Sequence, residues 1–278
     1  MMLAGLLSPE LGVIDVADPG KPDQEDAAAE EICCLYYAEG DPTHGHRSQR
    51  ATLYVDHGAP SFQFEGADGL SVEVAQQTDH LRLAGVTGCV VWNGAVVLAK
   101  SLGLWVDSLG LLSLSGKTVL ELGSGTGALA IVAASYGARV IATEQAERLR
   151  LLSRNVEKHS SSKSPPWSVG KRGGSVEVCE LDWFASEDKL PCDLILASDV
   201  VYTEDVTAAL VRCLAFYAAP AILSVELRTE EVHYAFIDAL VAAGFNVSRM
   251  PLTLHPEDVR TKRVVTYALH MECGRDKK

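Results

Sequence analysis

Val119-Leu120-Glu121-Leu122-Gly123-Ser124-Gly125-Thr126-Gly127-Ala128 is the stretch that decides how this chain folds. An apolar run opens into three glycines at alternate positions, and GALAIVAASYG (127–137) then continues with a helical pattern. The order is strand, glycine turn, helix. Glycines at such a turn let the backbone take positive φ and approach a ligand closely. In an open α/β sheet the ligand crevice lies beyond the carboxyl ends of the strands, which is where this loop falls.

The spacing alone fits two nucleoside cofactors. Gly123, Gly125 and Ala128 also satisfy the dinucleotide fingerprint G-x-G-x-x-G/A, so an NAD(P)-dependent oxidoreductase is one reading. Glu121 favours the other. A dinucleotide fold usually carries an apolar residue at that strand position, and a buried carboxylate needs compensation. S-adenosylmethionine, with a sulfonium and an amino group, would supply it. No Tyr-x-x-x-Lys or comparable hydride-transfer set stands out.

Outward from the loop, strands and helices alternate. TVLELG (118–123), RVIATE (139–144), SVEVCELDW (175–183), CDLILASDVV (192–201) and AILSVEL (221–227) read as strands. Helices are expected over 127–137, 146–158, 205–217 and 229–244, and apolar residues from Val90 to Leu104 suit a buried helix ahead of the first strand. Such alternation predicts a doubly wound, mostly parallel sheet. FNVSRMPL and VVTYALHMEC close the chain with no crossover helix between them, so they form an antiparallel pair. HSSSKSPPWSVGKRGG (159–174) reads as a polar loop.

Three segments are expected. Residues 1–50 hold ten acids and three bases, with a short helix near 24–37, and read as a poorly packed, flexible acidic extension. Residues 51–87, with ATLYVDH, SFQFEG and LSVEVAQQ, read as a small antiparallel β unit. Residues 88–278 form the cofactor-binding domain.

Several strand ends carry chemistry. Glu144 closes RVIATE and could accept both ribose hydroxyls of an adenosine. Asp182-Trp183 ends the third strand, where the indole could cover an adenine. The fourth ends in Ser198-Asp199-Val200-Val201-Tyr202, an acid and a tyrosine three apart at the same rim. For Asp199 a helix cap is the competing role.

Composition narrows the function classes. The 278 residues carry 24 Lys+Arg against 37 Asp+Glu, a net charge of −13, which disfavours general nucleic-acid binding. No apolar run is long enough for a membrane helix, and the opening residues lack a signal-peptide pattern. Seven cysteines without a C-x-x-C pair fit reduced thiols in a cytoplasmic setting, with a nuclear one compatible. The His residues show no metal-ligand spacing, so no metal is expected.

Taken in order, Gly88-Cys89-Val90-Val91-Trp92, the 121–127 loop, Glu144, Asp182-Trp183 and Asp199-Val200-Val201-Tyr202 resemble the seven-strand methyltransferases, and more narrowly the family-16 protein lysine methyltransferases. The resemblance covers about residues 51–273. It implies a Rossmann-like seven-stranded sheet with an antiparallel last strand, and S-adenosylmethionine held by Trp92, Glu121, Gly123, Ser124, Gly125, Thr126, Glu144, Asp182, Trp183 and Ser198. It further implies methyl transfer to a lysine of a protein, with Asp199 and Tyr202 as catalytic residues and Asp199 capturing and aiming the lysine. GCVVW, VVLAKSL and PLTLHPEDVR are similar to the branch that acts on an AAA-type ATPase; other branches modify chaperones and translation factors. A monomer is expected. Asn93 departs from the family, which usually has an acid after the tryptophan.

Overall fold

The computed structural model describes Leu3, Ile14–Asp15 and residues 54–78, 87–185 and 189–271; the helix expected near 24–37 lies outside them. The strands are β1 (Ile14–Asp15), β2 (Ser61–Glu65), β3 (Ser71–Ala75), β4 (Thr118–Leu122), β5 (Arg139–Glu144), β6 (Trp167–Val169), β7 (Gly174–Glu180), β8 (Leu194–Ser198), β9 (Ala221–Glu226), β10 (Phe245–Arg249) and β11 (Val264–Met271). The helices are α1 (Asn93–Gly103), α2 (Ala128–Ser135), α3 (Leu149–Lys158), α4 (Glu204–Tyr217) and α5 (Glu230–Ala242).

Nine of these strands form one sheet in the order β1-β10-β11-β9-β8-β4-β5-β7-β6. β4, β5, β7, β8 and β9 run parallel. β11 is antiparallel to both β9 and β10. The expected Rossmann-like core of seven strands is therefore present, with a short antiparallel strand added at each edge.

Strand periodicity divides the core into two layers. Val119, Leu194, Leu196 and Ile222 pack with α1, α2 and α3 on one face. Leu120, Leu122, Ile195, Ala197 and Leu223 pack with α4 and α5 on the other. α2 is buried along its whole length, which explains its unbroken Ala/Leu/Ile/Val content: the sheet covers one side and the β2–β3 hairpin the other.

Four differences from the sequence reading have physical causes. Residues 54–57 form no strand; they turn over the start of α1, where the Tyr54 N–H donates to Asn93 Oδ1 at 3.2 Å. α1 begins at Asn93 because Val90–Trp92 remain outside it and Trp92 is extended. The 159–174 segment contains β6, which pairs with the free edge of β7. Within the acidic extension, Leu3 is buried and Ile14–Asp15 pairs with the open edge of β10.

The hairpin also anchors the glycine loop. Asn155 of α3 donates to Thr126 O at 2.9 Å and to Ala75 O at 3.1 Å, and accepts from Ala75 N at 2.9 Å.

Candidate active site

The cleft opens at the carboxyl ends of β4, β5, β7 and β8, where the chain reverses strand order between β4 and β8. It holds about 830 Å³ of space, including its mouth. Trp92, Glu121, Gly123, Ser124, Gly125 and Thr126 all line it. So do Glu144, Asp182, Trp183, Ser198, Asp199 and Tyr202. One concavity thus gathers residues from positions 92 to 202.

The loop can lie flat only because of its glycines. Gly123 has φ +71°, and a Cβ there would come within 3.0 Å of Val200 and 3.2 Å of the Trp183 ring. Trp183 therefore lies directly against the loop, as a ring covering a flat ligand must. Asp182 is exposed and accepts the Phe184 N–H at 2.9 Å, which turns the chain after β7. Phe184, 57% exposed, extends the rim.

Glu121 forms the floor. It is 1% exposed, and its Oε2 has no hydrogen-bond partner; the Ser124 hydroxyl also has none. Burial pushes its carboxyl up to about 8; Glu144 adds to the rise, while the nearby Ser124 hydroxyl and Ala130 N–H oppose it. Glu144 is better satisfied. Its Oε2 accepts the Gly125 N–H at 3.0 Å, its Oε1 accepts the Gln145 N–H at 3.0 Å, and Arg148 Nη1 lies 3.5 Å from Oε1.

Asp199 differs again. It sits at φ +53°, where β8 stops. Its Oδ1 accepts the Glu226 N–H at 2.7 Å and its Oδ2 accepts the Gly94 N–H at 2.5 Å. Burial raises its carboxyl to about 6, opposed by the Arg228 charge and these two amides. The acid expected to capture a lysine thus has both oxygens engaged by backbone. It does cap a helix, but α1 from across the sheet rather than α4, which follows it. Thr203 caps α4.

Trp92 is held on three sides. Its Nε1 donates to Thr87 O at 2.8 Å, Arg228 stacks 4.5 Å from the ring centroid, and His57 meets it edge-on at 4.8 Å. Asn93 does not line the cleft, so its departure from the family pattern affects the anchoring of residue 54 rather than the ligand.

The sequence reading missed Arg148, Arg228 and Phe184, and it quoted Gly88 without giving it a place in the cleft. Arg148 had a signal, four residues after Glu144 on a helical segment. Gly88 had its place beside the tryptophan motif; a Cβ there would fall 2.8 Å from Arg148 Cδ and 3.1 Å from Glu144 Oε2. Arg228 had none.

These groups suit a cationic adenosine cofactor. An ammonium could satisfy Glu121 Oε2 and Ser124 Oγ together, and each Glu144 oxygen retains acceptor capacity for a ribose hydroxyl. A pyrophosphate fits worse. The Gly125 amide that would cradle it already faces the Glu144 carboxylate, which would repel it. The NAD(P) reading is not favoured.

Fold and cleft together define a Rossmann-like, S-adenosylmethionine-binding class of protein. Residues 74–241 match the model of the lysine methyltransferase family, and the chain belongs to that family. It is similar to the protein N-lysine methyltransferase METTL21A of Danio rerio, with 37% identity over 51% of this chain and 59% of that protein. It is also similar to EEF1A lysine methyltransferase 3 of Mus musculus, with 32% identity over 66% of this chain and 73% of that protein. The aligned part thus spans less than two thirds of the zebrafish relative's length. Neither relative's name refers to an AAA-type ATPase.

Proposed function

We propose that this chain transfers a methyl group from S-adenosylmethionine to a lysine ε-amine of a protein. The observation that carries the reading is Glu121, a buried carboxyl group with an unpartnered oxygen on the floor of the cleft. When bound, the cofactor supplies an electrophilic methyl whose loss turns a sulfonium into a neutral thioether. Glu121 and Ser124 would hold its amino group, Glu144 its ribose and Trp183 its base, with Trp92 as the opposite wall.

A lysine reacts only as the free amine. With an ordinary pKa of ~10.4, deprotonation at pH 7 costs about 4–5 kcal/mol. Entry into the cleft would lower that cost by desolvating the ammonium. Tyr202, Ser198 and Phe184 line the cleft and would shape the entry. Asp199 is no base for this step, because a carboxylate favours the ammonium. Orientation of the amine is the main contribution asked of these residues.

The substrate class rests on the relatives' names and on the motif resemblance. An AAA-type ATPase is the substrate suggested by GCVVW and PLTLHPEDVR, and EEF1A is the one printed in a relative's name. The test has two stages. Isothermal titration with S-adenosylhomocysteine and with NADH reads the cleft; binding of NADH alone would overturn the reading. Labelled-methyl transfer onto purified AAA-type ATPase, chaperone and EEF1A, followed by mapping of the labelled residue, reads the reaction. Label on a residue other than lysine would refute the lysine assignment.

A further inference from the structure

Asp199 joins three separated pieces of chain. Its backbone N–H donates to Ser224 O at 2.9 Å, its Oδ1 accepts from Glu226 N, and its Oδ2 accepts from Gly94 N, 105 residues away. The amide of Gly94 lies in the first turn of α1, where no carbonyl within the helix is available to it. A carboxylate at that position also faces the positive end of the helix. The contact has a matching requirement on the other side. A Cβ at residue 94 would lie 2.7 Å from Asp199 Oδ2 and 2.8 Å from the Ser224 backbone oxygen. Only glycine lets the helix start come this close. Ahead of Gly94, with only Asn93 between, stand Val90, Val91 and Trp92, and Ala95 follows it; these four line the cleft.

We propose that Asp199 is a positioning residue for the cofactor rather than the group that grips the lysine. By bonding Gly94 it fixes the start of α1, and so sets where the Trp92 wall stands relative to the glycine loop. This rests on the cofactor reading of the cleft. The left-handed backbone at Asp199 fits the role, since it turns the side chain away from the β8 line toward α1 and β9. The raised carboxyl pKa reflects burial in a place where two backbone donors keep the charged form usable.

The experiment measures S-adenosylhomocysteine affinity by isothermal titration for the wild type, Asp199→Asn and Gly94→Ala, alongside thermal unfolding. Trp92 emission is read as the difference from each protein carrying Trp92→Phe. Asparagine turns an amino group toward one of the two amides, and alanine pushes the helix away from an intact acid. Both are expected to weaken binding by roughly tenfold and to shift Trp92 emission in the same direction. Wild-type affinity retained by either folded variant would overturn the proposal and return Asp199 to a lysine-facing role. Failure of both to fold would also overturn it, by assigning the contact to stability alone. Failure of the wild type to bind would instead refute the cofactor reading.

Discussion

The floor and the rim of the cleft both hold a buried acid at the end of a central strand, and the two are treated in opposite ways. Glu121 keeps an oxygen with no partner, whereas both Asp199 oxygens accept backbone amides from distant elements. Burial raises both, Glu121 to about 8 and Asp199 to about 6. The contrast separates a group waiting for a ligand from a group that builds the wall. An unpaired buried charge is costly, so with the cleft empty Glu121 holds its proton near neutral pH and ionises readily only where something else compensates it.

The sharpest way to break this comparison is Glu121→Gln. Removing the charge should weaken S-adenosylhomocysteine binding by roughly 100-fold, as loss of a charge-assisted contact does. The same change should stabilise the empty protein at high pH. A raised carboxyl pKa means that folding disfavours the ionised form. The penalty is absent below about pH 4.5, grows as pH rises and is complete above about pH 8. Melting curves of both proteins at pH 6 and pH 9 should therefore diverge in favour of the glutamine variant. Parallel curves would show that Glu121 is satisfied without ligand.

Glu144→Ala comes next, with roughly a tenfold loss in the same titration. A loss equal to that of Glu121→Gln would blur the distinction between floor and ribose site. Arg228→Met removes the cation over Trp92 while keeping much of the stem. It should change affinity by roughly two- to fivefold and red-shift Trp92 emission. The smallest effect belongs to Arg172→Ala, whose guanidinium ties Asp68 to Asp107 on the far surface. Titration should show unchanged affinity; any loss would mean that the hairpin side transmits strain to the cleft.

Much of this site was legible because its residues sit at strand ends, and strand ends are readable from period and punctuation. TVLELG, RVIATE and CDLILASDVV each delivered their terminal acid or loop to one edge of the sheet. What escaped depends on contacts that no local pattern records. The partner of Asp199 lies 105 residues away in a helix start that reads simply as apolar, and Arg228 reaches Trp92 from the end of another strand. β1 and β6 escaped for a different reason. They have two and three residues, and the sheet edges beside them induce their pairing more than their own sequence does.

Those two short strands carry a consequence for life in a crowded solution. Without them, the five residues of β10 and the seven of β7 would present open ladders at the two margins of the sheet. A second molecule, or a stray extended peptide, could dock on such a margin and propagate cross-β growth. With β1 and β6 in place, the stretch left unpaired among the described residues shrinks to 245–247 on β10 and 177–180 on β7, shorter than a usual strand. An addition of five residues in all thus works as a guard against aggregation, independent of anything that happens in the cleft.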